Sequence, residues 1–238
     1  MNKILPFILL ATLVGTVLSS PFLRHSRKAF QAPPSGGLPA TLKTGMIAFY
    51  DFDDANDDHT GGYNWTETGS PDYTGGIVRI ITGVDEVSQT GAGTLGDNWA
   101  TDDNVDCSFA GWFRPNILTG HGETMITGKA NRFLINHRVD EFQGRLGLIT
   151  DTHAVAPVDG TWYFIVVNFD ATADETTIYV DNASDGATSG APSLINTNIS
   201  ISGDGDWAWT GFWNKQLDAT ERAALYAEGE TMIYADIP

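Results

Sequence analysis

The chain has 238 residues, which is generous for one domain and short for two, and 13 Lys and Arg against 30 Asp and Glu give a formal net charge of −17. Residues 1–45 hold five of the basic side chains and no acidic one, so the other 8 basic and all 30 acidic residues give the rest a net charge of −22. Because so acidic a domain repels nucleic acid and anionic headgroups, we exclude nucleic acid as a partner of residues 46–238.

The first 20 residues form a hydrophobic segment. Residues 4–18 are apolar or small after a single lysine, and residues 17–20 supply the small side chains of a signal-peptidase site. We predict a secretory signal peptide in residues 1–20. The alternative is a membrane anchor, because the run extended to Leu23 approaches the ~20 residues that span a bilayer. Residues 1–28 would then contact the membrane.

Residues 21–45 combine basic side chains with Pro33, Pro34, Gly36, Gly37 and Pro39 and show almost no apolar periodicity. This composition predicts a linker or a basic arm. The folded domain is therefore predicted to cover residues 46–238.

The strongest strand signal is the run from Trp162 to Phe169, in which only Asn168 is polar. β-branched and aromatic side chains fill most of the other positions, which predicts a strand covered on both faces. After a short polar linker, residues 176–182 alternate, with Ile178 and Val180 on one side. These two runs predict a hairpin with one solvated side.

The remaining chain reads as further short strands separated by Gly-, Asp- and Asn-rich turns, at residues 46–52, 76–82, 107–114, 123–129, 132–137, 145–150 and 207–213. This spacing favours an all-β sandwich. One helix is predicted from Ala219 to Ala227, with Asp218 as N-cap, Glu221 at the capping-box position and Gly229 as its end. The single cysteine, Cys107, is predicted to be a small buried side chain.

Several segments resemble the laminin-G-like, pentraxin-like branch of the concanavalin A-like lectin/glucanase superfamily. The similar segments, in family order, are residues 46–54, 108–115, 160–182 with its Ile-Tyr-Val-Asp-Asn, and 211–226. The resemblance implies a two-sheet antiparallel jelly-roll sandwich with one short C-terminal helix that closes it.

The sequence does not favour an enzyme. Glycoside hydrolases of the resembled superfamily carry Glu-x-Asp-x-x-Glu on one strand, so that alternate carboxylates enter the cleft. No such run occurs here, and the pairs Asp85-Glu86 and Asp140-Glu141 are adjacent, which points their side chains to opposite faces of a strand. Nucleophile-elbow, zinc-protease and phosphate-loop motifs do not occur either.

A cluster of oxygen-bearing side chains lies near the start of the domain: Asp51, Asp53, Asp54, Asn56, Asp57 and Asp58. It is not an EF-hand, because His59 occupies the position of the sharp-turn glycine. The resemblance implies calcium here, helped by an Asp before the last strand. That position is Ala208 in this chain, but Asp206 is close. We predict calcium as a cofactor, with Asp51, Asp53, Asp58 and Asp206 as ligands; a solvated acidic loop is the alternative.

Aromatic side chains are the candidate ligand contacts. Trp207, Trp209 and Trp213 are predicted to share one face of the last strand, where they either stack on sugar rings or form the core. Other aromatics fall in turn-rich segments that favour exposure. The predicted ligand-binding set is Tyr63, Trp65, Tyr73, Trp99, Trp207 and Trp209.

The resemblance implies a non-catalytic recognition module, secreted or on the cell surface, that binds a glycan or a surface protein through loops of the sandwich. The alternative is a structural subunit of a virion, appendage or envelope, anchored by its N-terminal arm in a membrane or in neighbouring subunits. A homo-oligomer or larger assembly is compatible with either function.

Overall fold

The computed structural model describes residues 38–53, 58–60, 62–81, 85–89, 94–100, 104–116, 123–128, 133–138, 140–146, 149–190 and 198–238. The predicted signal peptide or anchor, and the predicted linker up to residue 37, lie outside these ranges. No helix within them is long and apolar enough to cross a membrane.

The described chain is an all-β sandwich, as predicted. Its strands are β1 (Met46–Tyr50), β2 (Thr66–Thr68), β3 (Val78–Ile80), β4 (Glu86–Gln89), β5 (Cys107–Pro115), β6 (Glu123–Gly128), β7 (Phe133–His137), β8 (Phe142–Leu146), β9 (Ile149–His153), β10 (Tyr163–Asp170), β11 (Glu175–Val180), β12 (Thr188–Ser189), β13 (Ile199–Ile201) and β14 (Gly205–Trp213). The helices are α1 (Leu95–Asn98) and α2 (Ala219–Glu228), with 3₁₀ turns at Ala40–Lys43, Gly229–Thr231 and Tyr234–Asp236.

The strands form two seven-stranded antiparallel sheets. Sheet A has the order β1-β14-β5-β10-β11-β12, with β3 also paired to β14, and sheet B has the order β2-β4-β13-β6-β7-β8-β9. The non-consecutive neighbours are those of the predicted jelly roll. The strand predicted at residues 145–150 is instead the end of β8 and the start of β9, which pair as a hairpin.

The central strand β10 is buried over seven of its eight residues. Ile165, Val167 and Phe169 face sheet B, while Phe164 and Val166 face the other way. It pairs with β11, whose burial alternates so that Ile178 and Val180 are inside. The hairpin and the covering of β10 on both faces are confirmed, but the other side of β11 is only half-exposed, because Arg222 of α2 lies 3.8 Å from the Tyr179 ring. Cys107 is also buried, as predicted.

Two apolar cores follow from this layering. The larger core lies between the sheets, and the smaller one covers the outer face of sheet A. In the smaller core, Trp209 and Trp213 donate their indole N–H groups to Gly229 O at 2.9 Å and Leu42 O at 2.7 Å. Residues 38–43 and the C-terminal segment thus cover sheet A from outside, so residues 38–45, which were predicted to belong to the linker, are part of the packed structure.

Helix α2 has the termini that the sequence predicts. The Asp218 side chain accepts from Glu221 N at 2.8 Å, and the Glu221 side chain accepts from Asp218 N at 3.1 Å, which completes the capping box. Gly229 ends the helix with a φ of 78°, a conformation that favours glycine.

Strand β14 contains an irregularity that corrects one prediction. Trp207 pairs with Phe113, and Thr210 pairs with Gly111. An advance of three residues along β14 thus corresponds to two residues along β5, which is a β-bulge in β14. The extra residue puts Trp207 in the core between the sheets and Trp209 in the core outside sheet A. The three tryptophans therefore do not share one face of the strand.

Candidate functional site

Four of the six aromatic residues predicted to bind ligand are core residues. Trp65 is 3 % exposed, and Trp99, Trp207 and Trp209 are 0 % exposed. Their rings cannot stack on a ligand without unfolding the core, so the structure contradicts this part of the predicted site. The turn-rich sequence around Trp65 and Trp99 correctly indicated irregular backbone, but it did not tell whether the side chain points outward.

Trp99 shows why a residue outside the strands is buried. It follows α1, and its indole N–H lies 3.1 Å from Ser108 O and 3.0 Å from Trp213 O. Its ring packs edge-on against Phe133 and Phe212, with centroids 4.8 and 5.1 Å away. Trp99 thus closes the end of the core between the sheets.

The two predicted tyrosines are half-buried and pack against the same core. Tyr63 accepts a hydrogen bond at its carbonyl oxygen from the Tyr50 hydroxyl at 2.6 Å. Burial raises the pKa of Tyr73, and the nearby Glu67 raises it further. These rings support the core edge and offer only part of their surface to a ligand.

The predicted metal ligands Asp51, Asp53 and Asp58 do not meet at one point in the described chain. Asp58 Oδ1 accepts from Phe49 N and Thr60 N, both at 3.0 Å, and Asp58 Oδ2 accepts from Tyr63 N at 3.1 Å. These bonds tie Asp58 to β1 and to the backbone of Thr60 and Tyr63.

Asp51 holds the C-terminal segment. Its two carboxylate oxygens contact His59 Nε2 at 2.8 Å and Tyr234 N at 3.0 Å, and the His59 and Tyr234 rings stack 5.5 Å apart. Among the described residues, no three His, Cys, Asp or Glu side chains are arranged to hold a metal ion. Asp54 and Asp57 lie outside them, so the calcium site stays a prediction.

The fourth predicted metal ligand, Asp206, is fully buried between two guanidinium groups. Arg79 Nε lies 2.8 Å from Asp206 Oδ1, Arg114 Nε lies 2.9 Å from Asp206 Oδ2, and Asn116 Nδ2 lies 2.9 Å from Asp206 Oδ1. Arg114 Cζ lies 4.8 Å from the centre of the Trp162 ring. We call Arg79, Asp206, Arg114 and Trp162 the arginine row.

The arginine row has its own electrostatics. Burial alone would raise the pKa of Asp206, but the hydrogen bonds from Arg79, Arg114 and Asn116 outweigh it and hold this pKa below its usual range. The same carboxylate raises the pKa of Arg79. Asp206 is therefore ionised and neutralised by cations of the protein, which is a different role from the predicted metal ligand.

The outer face of sheet B carries polar side chains. Its inward residues Val87, Ile199, Ile201, Phe133 and Ile135 belong to the core between the sheets, so the alternate residues point away from sheet A. They form what we call the polar face: Thr66, Thr68, Glu86, Ser88, Ser200, Leu134, Asn136, Gln143, Arg145, Thr150 and Thr152.

One row of the polar face crosses all seven strands of sheet B. The register aligns residues 66, 88, 200, 127, 134, 145 and 150, and the described side chains of this row are Thr66, Ser88, Ser200, Leu134, Arg145 and Thr150. With neighbouring strands ~4.8 Å apart, this row is about 29 Å long.

Hydroxyl and amide groups dominate the described side chains of the polar face, and its two charges, Glu86 and Arg145, have opposite sign. Asn136 Oδ1 is buried and has no hydrogen-bond partner within the described residues. The face thus carries few charges for a strongly acidic chain, with the Glu141 carboxylate at its edge accepting from Gln143 Nε2 at 2.7 Å, and its side chains can both donate and accept hydrogen bonds.

Sequence reasoning missed this surface, although a signal exists. Residues 133–137 and 149–153 alternate between core residues and polar or half-exposed ones. Read strand by strand, this alternation indicates one solvated face. Only the pairing order of the strands shows that the solvated positions line up.

The fold defines the chain as a two-sheet, jelly-roll-like β-sandwich, and solved structures with this architecture resemble it. One is a botulinum neurotoxin type C structure, described with the toxin's dependence on two ganglioside molecules for cell entry, with a TM-score of 0.60 and 14% identity. Another is the receptor binding domain of a botulinum neurotoxin C/D mosaic serotype, with a TM-score of 0.63 and 12% identity. A third is the binding domain of botulinum neurotoxin DC in complex with rat synaptotagmin II, with a TM-score of 0.60 and 14% identity.

The alignments cover 77%, 78% and 77% of this chain, respectively, and 51% of each neurotoxin chain, so this chain matches about half of each. No protein-family model and no curated protein matches the sequence. At these identities the similarity shows the fold. The laminin-G-like relationship stays a prediction.

Proposed function

We propose that the chain is a non-catalytic, extracellular recognition module that binds carbohydrate on the polar face. The observation that carries the proposal is the contrast between the two outer faces of the sandwich. The apolar outer face of sheet A is covered by residues 38–43 and the C-terminal segment, whereas the polar face carries hydroxyl and amide side chains, of which the threonines are exposed or half-exposed. The proposed ligand contact is therefore on a sheet surface and not on the loops, because the tryptophans that were predicted to bind ligand from the loops are buried.

Carbohydrate fits the polar face better than a protein partner does. Sugar hydroxyls require side chains that donate and accept hydrogen bonds, and Ser, Thr, Asn and Gln do both. The centre of a protein interface is instead enriched in aromatic residues, Met and Arg. The polar face holds one half-exposed apolar side chain, Leu134, in its long row.

Similar folds with related roles support the proposal. The matched neurotoxin structures are described with gangliosides, with SialylT or with synaptotagmin II. Because this chain corresponds to about half of each, the ligands of the whole domains are not assigned to its own surface.

The full-length chain is expected to bind at least one glycan on a neutral-glycan array. We expect the double substitution Asn136→Ala and Thr152→Ala to weaken that binding about tenfold, since each removes a hydrogen bond worth about 0.5–1.5 kcal/mol. Thr231→Ala, a single loss of an exposed hydroxyl on the opposite side of the sandwich, should leave binding unchanged. Absence of glycan binding, or equal losses in both variants, would contradict the proposal.

The extracellular location rests on residues 1–20. N-terminal sequencing of the native protein checks it: we expect a mature chain that begins near residue 21. A retained Met1 would favour the alternative of an anchored or assembled structural subunit.

Calcium near Asp51 and Asp58 remains part of the proposed function. The expected result is a higher melting temperature in calcium than in chelator, because ligand at 100 times its Kd adds about 2.7 kcal/mol to the stability of the folded state. Asp58→Asn should remove the difference. Equal melting curves with and without calcium would contradict the site.

A further inference from the structure

We infer that the arginine row is a second binding site, which accepts the carboxylate group of an acidic sugar. The row lies on the outer face of sheet A, on the opposite side of the sandwich from the polar face. It neither requires nor extends the carbohydrate site proposed above.

The pairing of β14 with β3 and β5 places the three charged residues of the arginine row next to one another. Asp206 on β14 pairs with Arg79 on β3 and with Arg114 on β5. Their neighbours Trp207, Val78 and Phe113 all belong to the core between the sheets, so the row points away from sheet B. The three side chains therefore stand side by side and outward, although they are far apart in the sequence.

The row contains more positive charge than Asp206 requires. The two oxygens of Asp206 accept five hydrogen bonds: two from Arg79, two from Arg114 and one from Asn116. Arg114 and Asn116 alone would satisfy both oxygens. With Arg79 added, two guanidinium groups face the Asp206 carboxylate, and these three side chains carry a net charge of +1, which the nearby Asp72 offsets in part.

The surplus charge is available to a ligand. Each guanidinium has five N–H groups and gives two to Asp206, one from Nε and one from Nη2. The three N–H groups left on each have no acceptor in the described part of the chain. The side chain of Arg79 is 48% exposed and that of Arg114 is 26% exposed, so both side chains are partly open to solvent.

The site is preorganised. Asp206 is completely buried, and each guanidinium donates to it from Nε and Nη2, which fixes the orientation of the guanidinium. The half-exposed Trp162 ring supports Arg114 from the side. The free edge of each guanidinium, with parallel N–H groups, matches a planar carboxylate.

The charge of the arginine row and the neighbouring Trp162 ring favour a ligand that carries one negative charge and a sugar ring. The surplus positive charge is small, because Asp72 offsets part of it and the chain has a net charge of −17, so the row attracts a single carboxylate more readily than a multiply charged phosphate. The exposed part of Trp162 offers an apolar surface for a sugar ring. Asp72, which pairs with Arg79 and strengthens its charged form, opposes the bound anion.

Galacturonate and its neutral counterpart galactose test the inference on the full-length chain. We expect saturable binding of galacturonate in the millimolar range by NMR titration, and none of galactose. Arg79→Gln should abolish this binding while Arg114 and Asn116 keep Asp206 satisfied. Arg79→Lys keeps the positive charge but lacks the parallel N–H groups of the guanidinium, so it should weaken galacturonate binding.

Two further variants separate a binding role from a structural one. Asp72→Asn should strengthen galacturonate binding about threefold, because it removes a repulsive charge near the site. Arg138→Gln, the loss of an exposed arginine next to sheet B, should change nothing. Failure of galacturonate to bind, equal binding of galactose, or unchanged binding in Arg79→Gln would overturn the inference, whatever the outcome for the polar face.

Discussion

Replacing Trp99 with alanine is expected to lower the free energy of unfolding by about 4 kcal/mol, the usual cost of deleting a large buried aromatic side chain. Trp99 is fully buried at the end of the core between the sheets, and both Phe133 and Phe212 pack on its ring. Urea denaturation followed by circular dichroism measures the loss.

A conservative variant separates packing from hydrogen bonding. Trp99→Phe keeps most of the ring but leaves Ser108 O and Trp213 O without the indole donor, which should cost about 1–3 kcal/mol. Trp162→Ala, the loss of a half-exposed indole, is the matched control and should cost less than Trp99→Ala. A Trp99→Ala protein as stable as the parent would mean that this side chain is exposed, as the sequence suggested.

Asp206→Asn is expected to destabilise the fold by about 3 kcal/mol, because removing one partner leaves the charges of the others uncompensated. The neutral amide of the variant would lie between Arg79 and Arg114 and would leave both of their positive charges uncompensated. Thermal and urea unfolding at pH 7 measure the effect. Asp174→Asn, in the exposed turn between β10 and β11, is the control and should be nearly neutral.

The pKa of Asp206 gives the same cluster a pH signature. Because this pKa is lower in the folded chain than the ordinary value near ~3.9, the carboxylate stabilises the fold above that value. The stabilisation is lost as the pH falls through the lower, folded pKa. The parent chain should therefore lose more unfolding free energy than Asp206→Asn between pH 5 and pH 2, and parallel curves would contradict the assignment.

Individual strands and helices could be predicted from the sequence where their residue pattern lies within one short segment. The apolar run of β10, the alternation in β11 and the capping residues of α2 each identify their element, because burial on two faces, burial on one face and a capped end leave different residue patterns. The short strands β2, β4, β12 and β13 were missed. At two to four residues, they hold too little periodicity and are fixed by their neighbours in the sheet.

The candidate sites depended on information that is not local. A single extra residue in β14 sends Trp207 and Trp209 to opposite faces, and spacing alone cannot show it. The partners of Asp206 lie 127 and 92 residues away in the sequence. An acidic residue near the expected calcium position therefore looked like a metal ligand until the pairing of β3, β14 and β5 placed two arginines beside it.

Amide chemical-shift mapping with a bound glycan tests the central claim most directly. On titration of the full-length chain, we expect the largest shifts along the polar face, at Ser200, Leu134 and Arg145 in the middle of its long row and at Asn136 beside it. Residues of α2 and the C-terminal segment, on the far side of sheet A, should not shift. Shifts confined to the loops at the ends of the sandwich, with none on sheet B, would contradict the account.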